Sequence, residues 1–339
     1  MAAMPDLSAA DRDRISAALR YMGRDLHHRS FAVSGERREL LWQEMDCCLA
    51  LADQIDRQSA QAVQSPEFSA SMTSVGSHGC SLITGASSGI GAAMATALAA
   101  EGRPLVLTAR RGERLEALAS RLRTSHGIPV HCLVHDLARP GGAADLLLAL
   151  RQRGLAVHTL VNNAGFGLRG SFESNSWPQA EAMLQLMVQS AVQLCHGLLP
   201  AMQQQGGRIL NVASLAGLVP GLPGSSLYSA SKAFLIRFSQ SLAAENPGGH
   251  IRVMALCPGY VHTEFHAVLG VQERMQRLPG LFWMEADQLA AACLQALQGR
   301  QVVCVPGAVN RLIAALAKVL PDAAGTALSS AFSRRYRSR

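Results

Sequence analysis

The chain has 339 residues, of which 49% are hydrophobic and 16% are charged. This composition excludes a predominantly disordered protein, because such chains combine low hydrophobicity with a high density of charge. The formal net charge of +7 comes from 31 basic and 24 acidic side chains, and aromatic residues make up only 5%. Basic side chains without interleaved aromatic groups do not favour nucleic-acid binding, so we expect no nucleic-acid partner.

Cysteine usage and the first residues indicate the compartment. The eight cysteines form no C-x-x-C pair, so the sequence predicts neither a metal site nor a disulfide framework. The chain shows no run of about 18 uniformly apolar residues. Its N-terminal segment carries Asp6, Asp11 and Asp13 where a signal peptide would have an apolar core. We therefore expect a cytoplasmic protein with reduced thiols.

Residues 1–76 predict a helical extension that ends in a Gln-, Ser- and Ala-rich linker from Gln58 to Ser77. Apolar side chains recur at helical spacing at Ile15, Leu19, Met22, Leu26, Leu41, Met45, Cys48, Ala52 and Ile55. This spacing indicates two amphipathic helices that pair as a hairpin, and it favours a structural extension over a separate functional module. A translation start at Met72 would leave the extension out, and that alternative stays open.

Residues 77–307 alternate short apolar runs with helical patterns, as is typical of a parallel sheet assembled from βαβ units. The predicted strands are Cys80 to Thr84, Pro104 to Thr108, Val130 to Val134, His158 to Val161, Arg208 to Ala213, Ile251 to Cys257 and Gln301 to Val305. The sequence therefore predicts an α/β domain with a doubly wound parallel sheet of seven strands and helices on both faces.

A glycine-rich turn follows the first predicted strand. Glycine permits backbone angles and close approaches that a Cβ would block, and the helix after the turn offers free N–H groups to a pyrophosphate. Because the turn lies between a strand and a helix, we interpret it as a dinucleotide site rather than a simple connection. The residues expected to bind there are Gly85, Ser87, Ser88, Gly89, Ile90 and Gly91.

The end of the second predicted strand indicates which dinucleotide is preferred. An acidic residue at this position would bind the 2′-hydroxyl of NAD, whereas the chain has Arg110 and Arg111 there. Arginines favour the 2′-phosphate of NADP, so we expect NADP(H) to be preferred over NAD(H). The alternative is that Arg111 and Arg114 form a solvated helix start.

Three polar side chains predict acid–base chemistry. Tyr228 and Lys232 lie four positions apart in a predicted helix and so share one face, and an ammonium group near a phenol lowers the phenol pKa. Lys232 is one of only two lysines in the chain, which argues against a chance surface pair. Ser214 follows a predicted strand at the carboxyl edge of the sheet, where its hydroxyl would orient a substrate oxygen.

Together these motifs resemble the short-chain dehydrogenase/reductase family over roughly residues 79–307. The resemblance is carried by Thr84 to Gly91, Asn162-Asn163-Ala164-Gly165, Ser214 with Tyr228 and Lys232, and Pro258-Gly259 through Thr263. It implies a Rossmann-type fold, NAD(P) binding without a metal, and a homo-oligomer. It also implies cofactor contacts from Asp136, Asn163, Ala164, Gly165, Tyr228, Lys232, Pro258, Gly259, Val261 and Thr263.

The sequence thus predicts an NADP(H)-dependent oxidoreductase that transfers hydride between nicotinamide and a carbonyl or secondary alcohol. Tyr228 would be the general acid/base, Lys232 would lower its pKa and Ser214 would bind the carbonyl oxygen. The segment from Tyr260 to Met284 is apolar and predicts a pocket for a hydrophobic small molecule. Its expected lining residues are Phe265, Leu269, Leu278, Leu281, Phe282 and Trp283.

Met187 departs from the pattern that the resemblance implies. The family commonly carries an asparagine of a proton relay at this position, and methionine cannot hydrogen-bond a relay water as an amide does. Gln189 is the nearest amide in the sequence. The alternative function is therefore a catalytically weak NADP-binding scaffold or sensor, against which the intact Ser214, Tyr228 and Lys232 argue.

Residues 308–339 predict an amphipathic helix followed by a basic tail. The apolar positions of this helix are Leu312, Ile313, Leu316, Val319 and Leu320, and the tail contains Arg334, Arg335, Arg337 and Arg339. This pattern is typical of a docking or interfacial helix. A dimer contact or a solvated end is favoured over peripheral contact with an anionic membrane, although basic residues near a lipid surface do attract it.

Overall fold

The computed structural model describes residues 9–30, 33, 35–63, 79–270 and 278–336. By its internal contacts the chain divides into two units, Met1–Gly76 and Ser77–Arg339. The first unit contains two helices, α1 (Ala9–Ser30) and α2 (Glu36–Val63). They pack against each other, which confirms the predicted helical extension.

The packing of the two N-terminal helices differs in part from the predicted apolar faces. Leu26, Ala52 and Ile55 are buried as expected, whereas Ile15 and Met22 are exposed. A hairpin of only two helices has one buried seam, so part of each apolar face stays on the surface.

An ion pair joins α1 to α2, with Arg20 Nη2 at 2.7 Å from Asp53 Oδ1. The helix α2 continues to Val63, so the beginning of the predicted linker is helical. The rest of the predicted linker, residues 64–77, lies outside the described residues.

A seven-stranded parallel sheet forms the second unit, in the order β3-β2-β1-β4-β5-β6-β9. Its strands are β1 (Cys80–Thr84), β2 (Leu105–Ala109), β3 (Val130–Val134), β4 (Val157–Asn162), β5 (Gly207–Val212), β6 (Ile251–Leu256) and β9 (Val303–Cys304). A separate two-stranded sheet pairs β7 (Tyr260–His262) with β8 (Trp283–Glu285). The strand order reverses direction between β1 and β4, which is the point at which doubly wound sheets bind ligands.

Helices cover both faces of this sheet. The helices described in this unit are α3 (Gly89–Ala100), α4 (Gly112–His126), α5 (Gly142–Gln152), α6 (Trp177–Leu184), α7 (Ala191–Gln205), α8 (Ser226–Ala244), α9 (Phe265–Val268), α10 (Ala286–Gln298), α11 (Ala308–Val319) and α12 (Asp322–Tyr336). The neighbours Leu82 and Ile83 in β1 point into opposite core layers, because successive side chains of a strand alternate between the two faces. The α/β fold with a doubly wound parallel sheet is confirmed.

One helical run among the described residues, Trp177–Gln205, is long and apolar enough to cross a membrane by length and composition. Its C-terminal part, α7, packs on β4, β5 and α5. An apolar helix that covers a sheet is expected of a protein core, so this run has a structural explanation within the fold.

Candidate active site

A cavity of about 830 Å³ opens at the carboxyl ends of the strands. Its walls include residues that follow β1 to β6, and the segments after β1 and β4 meet there. Every residue predicted for catalysis or cofactor binding lines this cavity except Gly91. The structure therefore brings together side chains that are up to 178 positions apart in sequence, from Gly85 to Thr263.

The glycine-rich turn is shaped by steric limits at three positions. Gly85 and Gly89 have backbone φ angles of +65° and +54°. Residues other than glycine rarely adopt such angles. A Cβ on Gly91 would lie 2.4 Å from the carbonyl oxygen of Gly85. Gly91 does not line the cavity. It supports the site indirectly, because the missing side chain allows the start of α3 to pack directly against the turn.

The N-terminus of α3 is open to an anion. Ser88 precedes the helix with an extended backbone and no side-chain cap hydrogen bond, and the first described turn contains no acidic residue. Free backbone N–H groups and the helix dipole favour a phosphate at such an end. A bound dinucleotide pyrophosphate fits this geometry.

Asn163 holds the ends of β1 and β4 together. Its Nδ2 donates to the carbonyl oxygen of Thr84 at 2.9 Å, and its backbone N–H donates to Thr84 Oγ1 at 2.9 Å. Ala164 N–H donates to the same Thr84 hydroxyl at 3.0 Å. These bonds fix the cavity floor at the point where the strand order reverses.

Cationic groups lie at the rim beside the glycine-rich turn. Arg110 and Arg111 line the cavity and are exposed. Arg111 Nη2 donates to Ser87 Oγ at 3.0 Å and to Ser88 Oγ at 2.8 Å. A guanidinium held against two hydroxyls beside an open helix end is suited to a phosphate monoester.

Tyr228 and Lys232 face the cavity from adjacent turns of α8. The Lys232 Nζ lies 5.6 Å from the centre of the Tyr228 ring. Lys232 is only 5% exposed, and its ammonium donates to the carbonyl oxygen of Val212 at 2.7 Å. Burial lowers the pKa of Lys232 to about 8, an effect that the neighbouring Cys257 thiol opposes. The pair can thus hold and pass a proton near neutral pH.

Ser214 lines the cavity just beyond β5, on the segment whose Val212 carbonyl oxygen accepts from Lys232. It lies outside the strand by one residue and begins a short 3₁₀ turn, in which its Oγ accepts from Ala216 N–H at 3.1 Å. Leu215 N–H donates to Pro258 O at 2.8 Å. The backbone after β5 is thereby tied to the backbone after β6, which fixes the position of the serine hydroxyl in the cavity.

A buried polar network fixes α8 behind the site. Asn162 Nδ2 donates to Asn211 Oδ1 at 2.9 Å, and Asn211 Nδ2 donates to Ser239 Oγ at 2.9 Å. All three side chains are buried. Such a satisfied network specifies one docking of the helix on the sheet. The sequence analysis did not predict this network, although the polar Asn211 within the mostly apolar strand β5 indicated a buried hydrogen-bond partner.

Asp136 and Thr263 each make a local bond while lining the cavity. Asp136 Oδ1 accepts from Ala138 N–H at 2.9 Å, and Thr263 Oγ1 accepts from Phe265 N–H at 3.3 Å. These are turn-type contacts. Both side chains still border the cavity, so the local bond fixes the orientation of each.

Met187 and the Lys232 ammonium group both approach Gly165. Met187 belongs to a one-turn π-helix, Gln185–Ser190, which joins α6 to α7. Its Cγ and Sδ atoms, like Lys232 Nζ, lie 3.7 Å from the point where a Cβ on Gly165 would be. Met187 is 1% exposed, whereas Gln189 is exposed. Gln189, the nearest amide in the sequence, therefore does not take the place of the relay asparagine near Lys232.

The C-terminal helices form a wall of the cavity that the sequence did not predict. The lining residues that they contribute are Asn310, Ile313, Leu316, Ala317, Gly325, Leu328 and Ser329. Leu312 and Val319 of the predicted apolar face are 61% and 76% exposed, and Leu316 is 45% exposed. The amphipathic pattern predicted the helix correctly, but the pattern alone did not indicate that it borders the site.

Asn310 anchors this wall to the loop after β6. Its Nδ2 donates to Pro306 O at 2.8 Å, and its side chain is buried. A Cβ on Gly259 would lie 2.4 Å from Asn310 Oδ1. The close fit places the start of α11 against the Pro258-Gly259 turn.

The segment from Tyr260 to Met284 lines the cavity only in part. Tyr260, Phe265, Leu269 and Phe282 border it. The remaining predicted residues lie elsewhere. Leu278 is buried, Leu281 is 63% exposed, and Trp283 stacks on His262 with ring centres 4.5 Å apart. Residues 271–277 of this segment lie outside the described residues.

Residues 80–274 match the family model described as short chain dehydrogenase. A sulfoacetaldehyde reductase of Chromohalobacter salexigens is 42% identical over 193 residues, which cover 56% of this chain and 75% of that enzyme. A solved short-chain dehydrogenase from Sphingobium yanoikuyae in complex with NADPH is 34% identical, with a TM-score of 0.63 over 72% of this chain and 96% of that one. The bulky-bulky ketone specific alcohol dehydrogenase from Comamonas testosteroni is 29% identical, with a TM-score of 0.60 and the same coverage of 72% and 96%.

Proposed function

The chain belongs to the short-chain dehydrogenase family and is an oxidoreductase of carbonyl and alcohol groups, and we propose that it reduces bulky apolar ketones or aldehydes with NADPH. The observation that carries the proposal is the buried Lys232 ammonium, 5.6 Å from the Tyr228 ring, in the same cavity as the glycine-rich turn. A cavity that needed only to bind a dinucleotide would have no use for a phenol whose pKa is lowered by a neighbouring ammonium group.

Bound NADPH would supply the hydride that reaches the carbonyl carbon. The residues that would hold it are those of the glycine-rich turn, Arg110 and Arg111 at the rim, and Lys232 at the nicotinamide end. Tyr228 Oη donates its proton to the carbonyl oxygen as negative charge develops there. Lys232 stabilises the resulting phenolate electrostatically, and Ser214 donates a hydrogen bond to the same substrate oxygen.

The preference for NADPH over NADH is supported by the rim of the cavity. Arg111 is held by Ser87 and Ser88, so less side-chain freedom is lost when the guanidinium engages a phosphate. The Sphingobium yanoikuyae relative was solved in complex with NADPH.

A bulky, apolar substrate is supported by the distribution of charge in the cavity. The charged groups among the described lining residues are Arg110, Arg111, Asp136 and Glu264 at the expected dinucleotide end, and Lys232 beside Tyr228. The other end is lined by apolar and aromatic residues such as Phe265, Ile313 and Leu328, with Ser329 among them. This lining suits a large ketone, as the Comamonas testosteroni relative is described to use, better than a small sulfonate, for which a cation would be expected.

The substrate proposal is testable by size selection at Leu316, which lines the cavity and is 45% exposed. A Leu316→Trp variant should retain its fold and its turnover of a small aliphatic ketone. We expect its kcat/KM for a two-ring aromatic ketone to fall about tenfold or more, because the added indole fills the apolar end. Equal losses for both ketones would contradict the assignment of this wall to the substrate.

A catalytically weak NADP-binding protein is the second candidate, and Met187 is the observation that favours it. The buried thioether beside Lys232 supplies no hydrogen bond to a water that would reprotonate the lysine and tyrosine. The two candidate functions predict different rates of ketone reduction but the same binding of NADPH.

The decisive experiment combines cofactor titration with turnover in Tyr228→Phe. We expect NADPH to bind the variant within about twofold of the parent affinity while the rate of ketone reduction falls about 10³-fold or more, because the proton donor alone is removed. The matched control is Tyr21→Phe on the exposed face of α1. A parent protein that binds NADPH but reduces no ketone would favour the second candidate, and an active Tyr228→Phe would refute the assigned role.

We also propose, from the sequence patterns, that the protein is cytoplasmic and forms a homo-oligomer. The residue sets given above for catalysis and cofactor binding are part of the same proposal, as are the domain limits at 76 and 307. Size-exclusion chromatography with light scattering would test the oligomeric state.

A further inference from the structure

We propose that Glu264 is a specificity-determining residue, whose carboxylate competes with the cofactor 2′-phosphate for Arg111 and Arg114 and so limits the preference for NADPH over NADH. The proposal rests on the function proposed above, because it assumes that the 2′-phosphate binds at the arginine rim.

The Glu264 carboxylate lies within bonding distance of both arginines. Arg114 Nη1 donates to both of its oxygens at 2.8 Å, and Arg111 Nη1 donates to Oε2 at 3.3 Å. The hydrogen bond from Arg114, followed by the one from Arg111, holds the pKa of Glu264 below its usual range. Glu264 is therefore an anion at neutral pH. One of its two partners, Arg111, is the side chain that also donates to Ser87 and Ser88.

The position of Glu264 is fixed by the fold. Glu264 follows Thr263, whose Cβ and Cγ2 would each lie 3.1 Å from a Cβ on Gly89. The segment after β7 thus passes directly beside the glycine-rich turn, and its carboxylate lies next to the start of α4 although about 150 residues separate Glu264 from Arg114 in sequence. Both Glu264 and Arg111 line the cavity.

The charges explain why such an arrangement discriminates between the two dinucleotides. A phosphate monoester carries a charge of about −1.5 to −2 at pH 7, and it seeks the same guanidinium donors that Glu264 already occupies. NADPH would have to displace or share these donors and would gain a fixed negative neighbour, whereas NADH lacks the 2′-phosphate and would leave the ion pairs in place. Glu264 therefore weakens NADPH binding more than NADH binding.

The expected effect is moderate because all three side chains are about half exposed. The exposed fractions are 45% for Arg111, 50% for Arg114 and 49% for Glu264, so water and salt screen the competition. We expect Glu264→Gln to tighten NADPH binding about three- to tenfold at low salt and to change NADH binding less than about twofold.

The test is fluorescence titration of NADPH and NADH into the full chain, its Glu264→Gln variant and the control Glu245→Gln. Glu245 is exposed at the end of α8 and does not line the cavity, so its variant changes the net charge equally without touching the arginines. The gain in NADPH affinity should appear only in Glu264→Gln, and it should shrink between about 20 mM and about 500 mM salt.

The outcomes separate the two proposals. Weaker NADPH binding by Glu264→Gln would overturn the proposed competition, because Glu264 would then orient the arginines for the phosphate. Equal changes in affinity for both dinucleotides would overturn it too, because Glu264 would then act on the whole rim. A parent protein that binds neither dinucleotide would instead overturn the proposed function itself.

Discussion

Replacement of Lys232 by methionine should make the protein more stable while it removes catalysis. The side chain is 5% exposed, and burial lowers its pKa from 10.5 to about 8. At about 1.4 kcal/mol per pKa unit, this difference corresponds to about 3 kcal/mol by which the folded state disfavours the ammonium below pH 8. An uncharged methionine of similar length escapes that penalty.

The gain is reduced by the lost hydrogen bond. Lys232 Nζ donates to Val212 O at 2.7 Å, and loss of this bond costs about 1 to 2 kcal/mol. We therefore expect Lys232→Met to gain about 1 to 2 kcal/mol near pH 7, or about 2 to 8 °C in Tm for a unit of this size.

The sign of the effect depends on pH in a defined way. Because the folded pKa lies below the unfolded one, the penalty is complete below about pH 8 and disappears as pH rises toward 10.5. The stability of the parent should therefore rise relative to that of the variant between these values. Near pH 10 the parent should equal or exceed the variant, because less than about 1 kcal/mol of the penalty then remains to offset the lost hydrogen bond.

Differential scanning calorimetry of the full chain at about pH 7 and about pH 10 would measure this, using the transition that NADPH raises in the parent. Lys318→Met on α11 is a matched control, since Lys318 is the other lysine of the chain and is exposed. A Lys232→Met variant that is destabilised by the same amount at both pH values would refute the reasoning, because the buried charge would then carry no net cost.

Two further changes test the glycine-rich turn and the proton supply. Gly91→Ala should lower NADPH affinity more than about tenfold and reduce Tm, because its Cβ would lie 2.4 Å from Gly85 O and the turn would have to move. Gly280→Ala, where no atom lies within 4 Å of the added Cβ, is the tolerated control in the same thermal and binding assays. Met187→Asn should raise kcat for ketone reduction several-fold with an unchanged Kd for NADPH, because an amide can hydrogen-bond a water beside Lys232. An unchanged kcat would show that proton supply does not limit turnover.

The sheet and the cofactor end of the site could be predicted because their signals are local. The turn from Gly85 to Gly91 carries its own strand and helix context, and Tyr228 and Lys232 are brought together by one helical turn. Their placement around one cavity then follows from the parallel sheet, since the carboxyl ends of its strands share an edge.

The remaining parts of the site depend on contacts between distant segments. The Asn162–Asn211–Ser239 network joins two strands to a helix, and Glu264 pairs with arginines about 150 residues before it. No spacing rule connects such positions. The exposed Leu312 and Val319 show the same limit, because an amphipathic pattern predicts an apolar face but not what that face contacts.

The wall made by α11 and α12 has a consequence for how this enzyme can diversify. The region that matches the family ends at residue 274, whereas Ile313, Leu316 and Leu328 border the cavity from beyond it. In the function proposed above, the proton-transfer residues lie within the family-matching stretch, whereas part of the substrate wall lies after it. On this proposal, substitutions at Ile313, Leu316 and Leu328 should alter selectivity without touching Tyr228 or Lys232, which makes these positions suitable targets for directed evolution, provided that Asn310 is kept against Gly259.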